Sequence, residues 1–164
     1  MDMTEWLEHA RQLLRRVHHP AIATASNAGQ PWNTPVFAVY DVALNFFWSS
    51  DPEAQHSRNI AANGRAFLVF FDSLTGRDGG LYIETTVEQL SDPAEIGAAI
   101  VNMSNVRGRP LSLEKFMRDS GQRIYRAKPV RAWINHAIKD PAGDFVVDQR
   151  YQIDLDELRQ DLAK

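Results

Sequence analysis

Phe46-Phe47-Trp48-Ser49-Ser50-Asp51-Pro52-Glu53-Ala54-Gln55-His56-Ser57-Arg58-Asn59-Ile60 joins an aromatic, strand-forming run to two hydroxyls, an Asp-Pro pair and a polar helical segment. Asp51 is suited to capping backbone N–H groups, and Pro52 to the first helical position, where its missing N–H costs nothing. With Gly64 as the exit, these signals predict a helix over 52–63. Helical side chains lean toward the N-terminus, so His56 in the second turn reaches back toward Ser50. A hydroxyl and an imidazole then converge where a helix N-terminus offers partial positive charge, a corner that suits an anion such as a phosphate. Asp51 competes for that charge, so the side chains are expected to matter more than the dipole. The same residues also suit a plain capped amphipathic helix, with Ile60 in the core and Gln55, His56 and Arg58 solvated.

Outward from this corner, short strands dominate. Residues 21–26 and 34–40 read as a hairpin around Asn27-Ala28-Gly29, residues 44–49 as a third strand, 66–71 as a strand covered on both faces, and 81–90 as another. Leu74-Thr75-Gly76-Arg77-Asp78-Gly79-Gly80 has glycines reminiscent of a phosphate loop, but it lacks the Gly-Lys-Ser/Thr ending and leads into a strand, so it reads as a hairpin loop. Further strands are expected at Ile124-Tyr125, 130–138 and 145–148, with a turn at Asp140-Pro141-Ala142-Gly143. A first helix starts at Thr4, with Trp6, Leu7, Ala10, Leu13, Leu14 and Val17 on one face and Arg11, Arg15 and Arg16 facing out. Asp92-Pro93 starts another, with Ile96, Ala99, Ile100 and Met103 inward, and shorter helices are expected over 112–119 and 155–162. A polar, basic loop is expected over 105–110. Many short strands with few connecting helices predict a mainly β, mostly antiparallel small barrel decorated by helices.

With 164 residues and no repeat or linker, the chain is expected to form one domain, 1–164, with a substantial core. Its apolar content of 44% and charged content of 24% are those of an ordinary globular protein. A formal net charge of -3 argues against general nucleic-acid binding, which needs a basic surface. With no cysteine, disulfides, thiolate catalysis and cysteine metal sites are excluded. His18 and His19 point apart from a helix end, so no metal site is expected there. The N-terminus lacks the basic-then-apolar order of a signal peptide, and no apolar run approaches the roughly 18 residues of a membrane span. A cytoplasmic protein without a membrane partner is the expectation.

The order of these elements carries a resemblance. Together with Asn33-Thr34-Pro35-Val36, the 46–50 strand, His56-Ser57-Arg58-Asn59-Ile60 followed by Asn63-Gly64, the apolar strand after Arg65, and Tyr125-Arg126-Ala127-Lys128-Pro129-Val130-Arg131-Ala132-Trp133, it resembles the FMN-binding split-barrel family that includes pyridoxamine 5'-phosphate oxidase. The resemblance covers nearly the whole chain. It implies a split β-barrel of antiparallel strands with Greek-key-like connections, and FMN as cofactor. Asn33, Thr34, Pro35 and Val36 would lie along the flavin ring edge, while Trp48, Ser49 and Ser50 would follow the ribityl chain to the phosphate. Ser50 matches the family's phosphate-binding hydroxyl, His56 falls where it places a lysine, and Gln55 where it places an arginine. An amide and a partly protonated imidazole carry less charge than that pair, which makes Arg58 the candidate for the missing cation. The family forms homodimers with the flavin in the interface, so Trp133 and Arg107-Gly108-Arg109 are candidates for a wall supplied to the partner's site.

Pyridoxamine phosphate oxidases carry an arginine-histidine-arginine group near the C-terminus, and this chain has Phe145-Val146-Val147-Asp148-Gln149-Arg150-Tyr151 there, with one arginine. Pyridoxamine phosphate is therefore not the expected substrate. The expectation is an FMN-dependent oxidoreductase acting on an unidentified small molecule, in which the flavin carries the electrons and the protein positions it. No catalytic residue stands out; His136 suits a general acid by type, yet a lone strand histidine serves packing equally well. The alternatives are a module that holds FMN or haem without turnover, and a deazaflavin-dependent reductase of the same fold.

Overall fold

In this computed structural model, which describes residues 3–74, 79–117, 120–160 and 162, thirteen elements follow one another. They are α1 (Met3–Arg16), β1 (Ala21–Ala25), β2 (Pro31–Pro35), β3 (Val39–Tyr40), β4 (Phe46–Ser50), α2 (Gln55–Asn63), β5 (Arg65–Phe70), β6 (Leu81–Gln89), α3 (Pro93–Arg107), a 3-10 turn (Leu113–Phe116), β7 (Arg123–Lys139), β8 (Phe145–Ile153) and α4 (Leu155–Arg159). Every strand pairing is antiparallel, in the order β2-β1-β5-β6-β7-β4-β3, with β8 added to the second half of β7. The two ends of that path, β2 and β3, are consecutive in the chain. Residues 36–38 join them, held by the Val36 N–H on the Pro20 carbonyl (3.1 Å) and the Ala38 N–H on the His18 carbonyl (2.9 Å). The sheet thus curls until its ends meet, which is the mainly β split barrel expected.

The single return strand expected over 34–40 is two strands instead. Pairing with β1 starts at Pro31 and stops at Pro35, which has no N–H to continue a ladder, and the chain then swings across to pair with β4. β7 corrects the expectation in the other direction, being one strand of 17 residues where two were expected. Glu84 pairs with Arg131 while Thr85 pairs with Pro129, so Val130 is a bulge, a place where a strand tolerates proline. β8 likewise runs on to Ile153, and α3 extends to Arg107 through part of the expected 105–110 loop, ending at Gly108 with φ 66°. Parts of the expected 74–80 loop and of the 112–119 and 155–162 helices lie outside the described residues.

Side-chain alternation sorts the barrel's faces. Ile22, Thr24, Ala66, Leu68, Phe70, Leu81, Ile83, Thr85 and Val87 point inward from β1, β5 and β6. β4 is buried on both faces: Phe46 and Trp48 enter the barrel core, and Phe47 packs with Val39, Ile96, Met103 and Ile124 in a second cluster that α3 shares. Leu7, Ala10, Leu13 and Leu14 of α1 join the barrel core. Arg11, expected to face out, is buried and donates to the Glu157 carbonyl at 2.6 Å, because α4 packs against α1 on that side. Among the described residues no helix is long and apolar enough to cross a membrane.

Candidate functional site

The helix expected over 52–63 begins at Gln55. The Asp51 carboxylate accepts from the Glu53 N–H at 2.8 Å and the Ala54 N–H donates to the Asp51 carbonyl at 3.1 Å, so Asp51 closes a turn ahead of α2 instead of capping it. The N-cap is Ala54, which has no side-chain oxygen to offer, and the first helical bond runs from the Arg58 N–H to the Ala54 carbonyl at 3.0 Å. α3 and α4 are capped by Asp92 and Asp154, whereas the first turn of α2 has neither a side-chain cap nor an acidic residue. Its partial positive charge is therefore available to an anion. The exit is as expected, with Gly64 at φ 67° and its N–H on the Ile60 carbonyl at 2.7 Å.

At this open helix end, His56 Nε2 lies 2.8 Å from Ser50 Oγ, with the two residues only 8% and 7% exposed. Burial pushes the imidazole pKa below its ordinary 6.5, because the charged ring would lose its hydration. Arg58 is not brought to this pair. Two residues along a helix turn about 200°, so its side chain leaves the far side of α2. There the guanidinium donates to the Glu53 carbonyl at 2.6 Å and to Gln55 Oε1 at 3.0 Å. Gln55 donates to Asn59 Oδ1 at 3.0 Å, Asn59 to Thr24 Oγ1 at 3.0 Å, and Asn63 to the Ala25 carbonyl at 2.8 Å. These amides anchor α2 on β1. Gln55 was an expected site residue and Asn59 and Asn63 were not, although the three recur at the four-residue spacing of one helix face.

β2 is an end strand, paired with β1 alone, and α2 packs against both. Asn33 and Pro35 are exposed, Thr34 is half-buried and Val36 is buried. Trp48 is fully buried and stacks on Tyr125 with ring centroids 5.7 Å apart, so its side chain belongs to the barrel core and its backbone is what adjoins Ser49 and Ser50. Ser49, half-buried, points to the opposite face of β4.

Strand register places Trp133. Pro35 pairs with Ala21, Ala21 with Val69, Val69 with Tyr82, and Tyr82 with Trp133. Directly paired residues share a sheet face, so Pro35 and Trp133 belong to one outer surface, yet four strand spacings separate them, about 19 Å along the sheet. Around Trp133 the surface is aromatic: Phe67 stacks on it at 6.0 Å, Tyr82 lies 6.4 Å from Phe67, and Arg131 and Arg150 cover Trp133 and Tyr82. A groove of about 700 Å³ runs from Trp133 and Phe67 to Ala23 and Ala25. Arg107 lies 4.1 Å over the Phe37 ring, its pKa lowered by burial and by the neighbouring charge of Arg109. His136 stands half-buried opposite Gln149. Among the described residues no group of three His, Cys, Asp or Glu is placed to hold a metal.

A curled antiparallel sheet whose ends are joined through residues 36–38 and braced by α2 on β1 and β2 defines a split-barrel protein. The family profile for pyridoxamine 5'-phosphate oxidase matches residues 7–136, and the chain belongs to that family. Three solved structures show the same fold. One is a Clostridium acetobutylicum protein of the pyridoxinephosphate oxidase family related to general stress protein 26, 17% identical, covering 96% of this chain and 99% of its own, with a TM-score of 0.68. An F420 reductase is 22% identical and covers 74% of this chain and 94% of its own, with a TM-score of 0.57. The heme storage protein HutZ from Vibrio cholerae is 15% identical and covers 75% and 89%, with a TM-score of 0.61. No curated protein sequence matches the chain.

Proposed function

We propose that the chain binds FMN as a homodimer and acts as a flavin-dependent oxidoreductase on a small molecule. The observation that carries this reading is the uncapped N-terminus of α2 beside the buried Ser50–His56 pair, a polar corner in a member of this family. The chemistry of the donors fits: a hydroxyl, an imidazole and first-turn backbone N–H groups are all able to donate to phosphate oxygens. In this reading the Trp48 and Ser49 backbone follows the ribityl chain, and Asn33, Thr34, Pro35 and Val36 border the ring. Gln55 and Arg58 brace the start of α2. Trp133 stands four strands from β2 along the sheet, and in this reading it serves the partner's site across the aromatic outer surface.

When bound, FMN supplies the electron transfer. The protein's part is to hold the phosphate, orient the ring along β2 and keep water from it in the interface. The neighbours' names make F420 and heme the rival ligands, and one experiment separates the three. The purified protein is titrated side by side with FMN, a deazaflavin and heme, and any bound flavin is then challenged with nicotinamide donors and oxygen. The reading requires FMN to bind most tightly and to cycle between its oxidised and reduced states. Preference for heme or the deazaflavin overturns the cofactor assignment, and an inert bound flavin overturns the catalytic one.

A further inference from the structure

We propose that a phosphate-bearing ligand binds at the α2 corner together with a proton taken up by His56, so that its affinity is governed by pH around neutrality. This inference rests on the phosphate site proposed above. It begins from what surrounds the imidazole. His56 is buried, and its Nε2 is engaged by Ser50 Oγ rather than by a carboxylate.

The elements packed on α2 bring few charges, and those they bring are committed elsewhere. β1 and β2 carry no titratable side chain. β5 contributes Arg65, which is exposed at the strand's start and acts on Glu84. β6 contributes Tyr82 on the outer face, Glu84 paired with Arg131 at 2.6 Å, and Glu88 paired with Arg126 at 2.7 Å and Lys128 at 2.8 Å. In the turn before the helix, the Asp51 carboxylate accepts from Glu53, and Glu53 itself is exposed. Tyr125 of β7 stacks on Trp48, Arg123 of β7, paired with Ser50 in the sheet, donates to the Met117 and Ser120 carbonyls, and Arg58 leaves the opposite side of α2. With no counter-charge bonded to it, the ring is neutral at pH 7 in the absence of ligand.

A phosphate monoester is close to a dianion at pH 7, with a second pKa of about 6. Bringing it within hydrogen-bond reach of a buried imidazole favours the imidazolium, since an adjacent opposite charge stabilises the charged form. A lysine would arrive already charged; His56 takes its proton from solvent as the phosphate enters, and no covalent bond changes. Between the pKa values of the free and occupied states, binding weakens by up to about tenfold for each unit the pH rises.

Fluorescence titrations of the intact protein with FMN and with riboflavin between about pH 6.5 and 8 test this. The expected result is FMN affinity that falls across the range while riboflavin, which lacks the phosphate, binds without pH dependence. His56→Gln is expected to bind FMN more weakly and with a flat profile, and His56→Lys to bind it with a flat profile and no loss at the alkaline end. Normal but pH-independent FMN binding by the native protein, or an unchanged slope in His56→Gln, overturns proton uptake and leaves the phosphate site standing. FMN that binds no better than riboflavin at any pH overturns the phosphate site and this inference with it.

Discussion

Asn59 donates its side-chain amide to the Thr24 hydroxyl at 3.0 Å, and both groups are buried, so the helix that carries His56 is pinned to β1 by a polar contact sealed from water. Thr24→Val leaves the Asn59 amide without that partner and is expected to cost about 1–3 kcal/mol. Thr24→Val combined with Asn59→Leu is expected to cost less than the sum of the two single changes, because both act on one contact. Urea-unfolding midpoints of the four proteins give the coupling, and strict additivity would show that the contact contributes nothing.

The corner itself is tested by removing its donors. Ser50→Ala together with His56→Ala is expected to weaken FMN binding by about 10–100-fold, the scale of one or two lost hydrogen bonds to a charged group, while the circular dichroism spectrum stays native. Fluorescence titration measures the change. Unchanged affinity would place the phosphate elsewhere.

Trp48 and Trp133 are both tryptophans on strands of one barrel, yet they answer differently. Trp48 is fully buried against Tyr125, so Trp48→Phe is expected to lower stability by about 1–3 kcal/mol and to leave FMN affinity unaltered. Denaturation and titration on the same sample separate these effects, and an affinity loss without a stability loss would mean the indole meets the ligand.

Trp133 is expected to act across a dimer, since it stands on the outer surface four strands from Pro35. Trp133→Ala and the Ser50→Ala/His56→Ala protein should each bind FMN poorly alone. Mixed and allowed to exchange subunits, they should regain one intact site in each mixed dimer, because the impaired halves then fall in a single site. Titration of the mixture reads this directly; no recovery despite subunit exchange would exclude a shared site.

Burial of neutral His56 sets a pH dependence of stability without any ligand. Its folded pKa lies below 6.5, near which the unfolded residue titrates, so in acid the unfolded chain binds more protons than the folded one. Stability is therefore complete above about pH 6.5 and is expected to decline as the pH falls below it. His56→Gln should flatten that part of the profile of urea midpoint against pH, and an unaltered slope would assign the decline to other groups.

The parts of this protein legible in its sequence are those set by short-range rules. The strands β1 and β6, the Gly64 exit and the reach of His56 back to Ser50 each depend on residues close together in the chain. The run 66–71, all apolar and expected to be covered on both faces, instead alternates along β5, with Phe67 and Val69 only half-buried on the outer face. The start of α2 was misread for an equally local reason with two outcomes: Asp51-Pro52 suits either a helix cap or a preceding turn, and here the Asp51 carboxylate bonds to Glu53 in the turn. Arg11 was misread because only the return of α4 to α1 decides which face of α1 is covered.

By itself the sequence determined a mainly antiparallel barrel and put His56 within reach of Ser50, because backbone periodicity and helical side-chain direction operate over a few residues. Only the tertiary structure decided that the corner's helix is uncapped, that Trp48 is spent on the core, that Val130 bulges so that Pro129 fits inside β7, and that Pro35 and Trp133 lie far apart on one surface. These outcomes follow from strand register and from which surfaces meet across long stretches of chain, where a shift of one residue would turn every side chain to the other face.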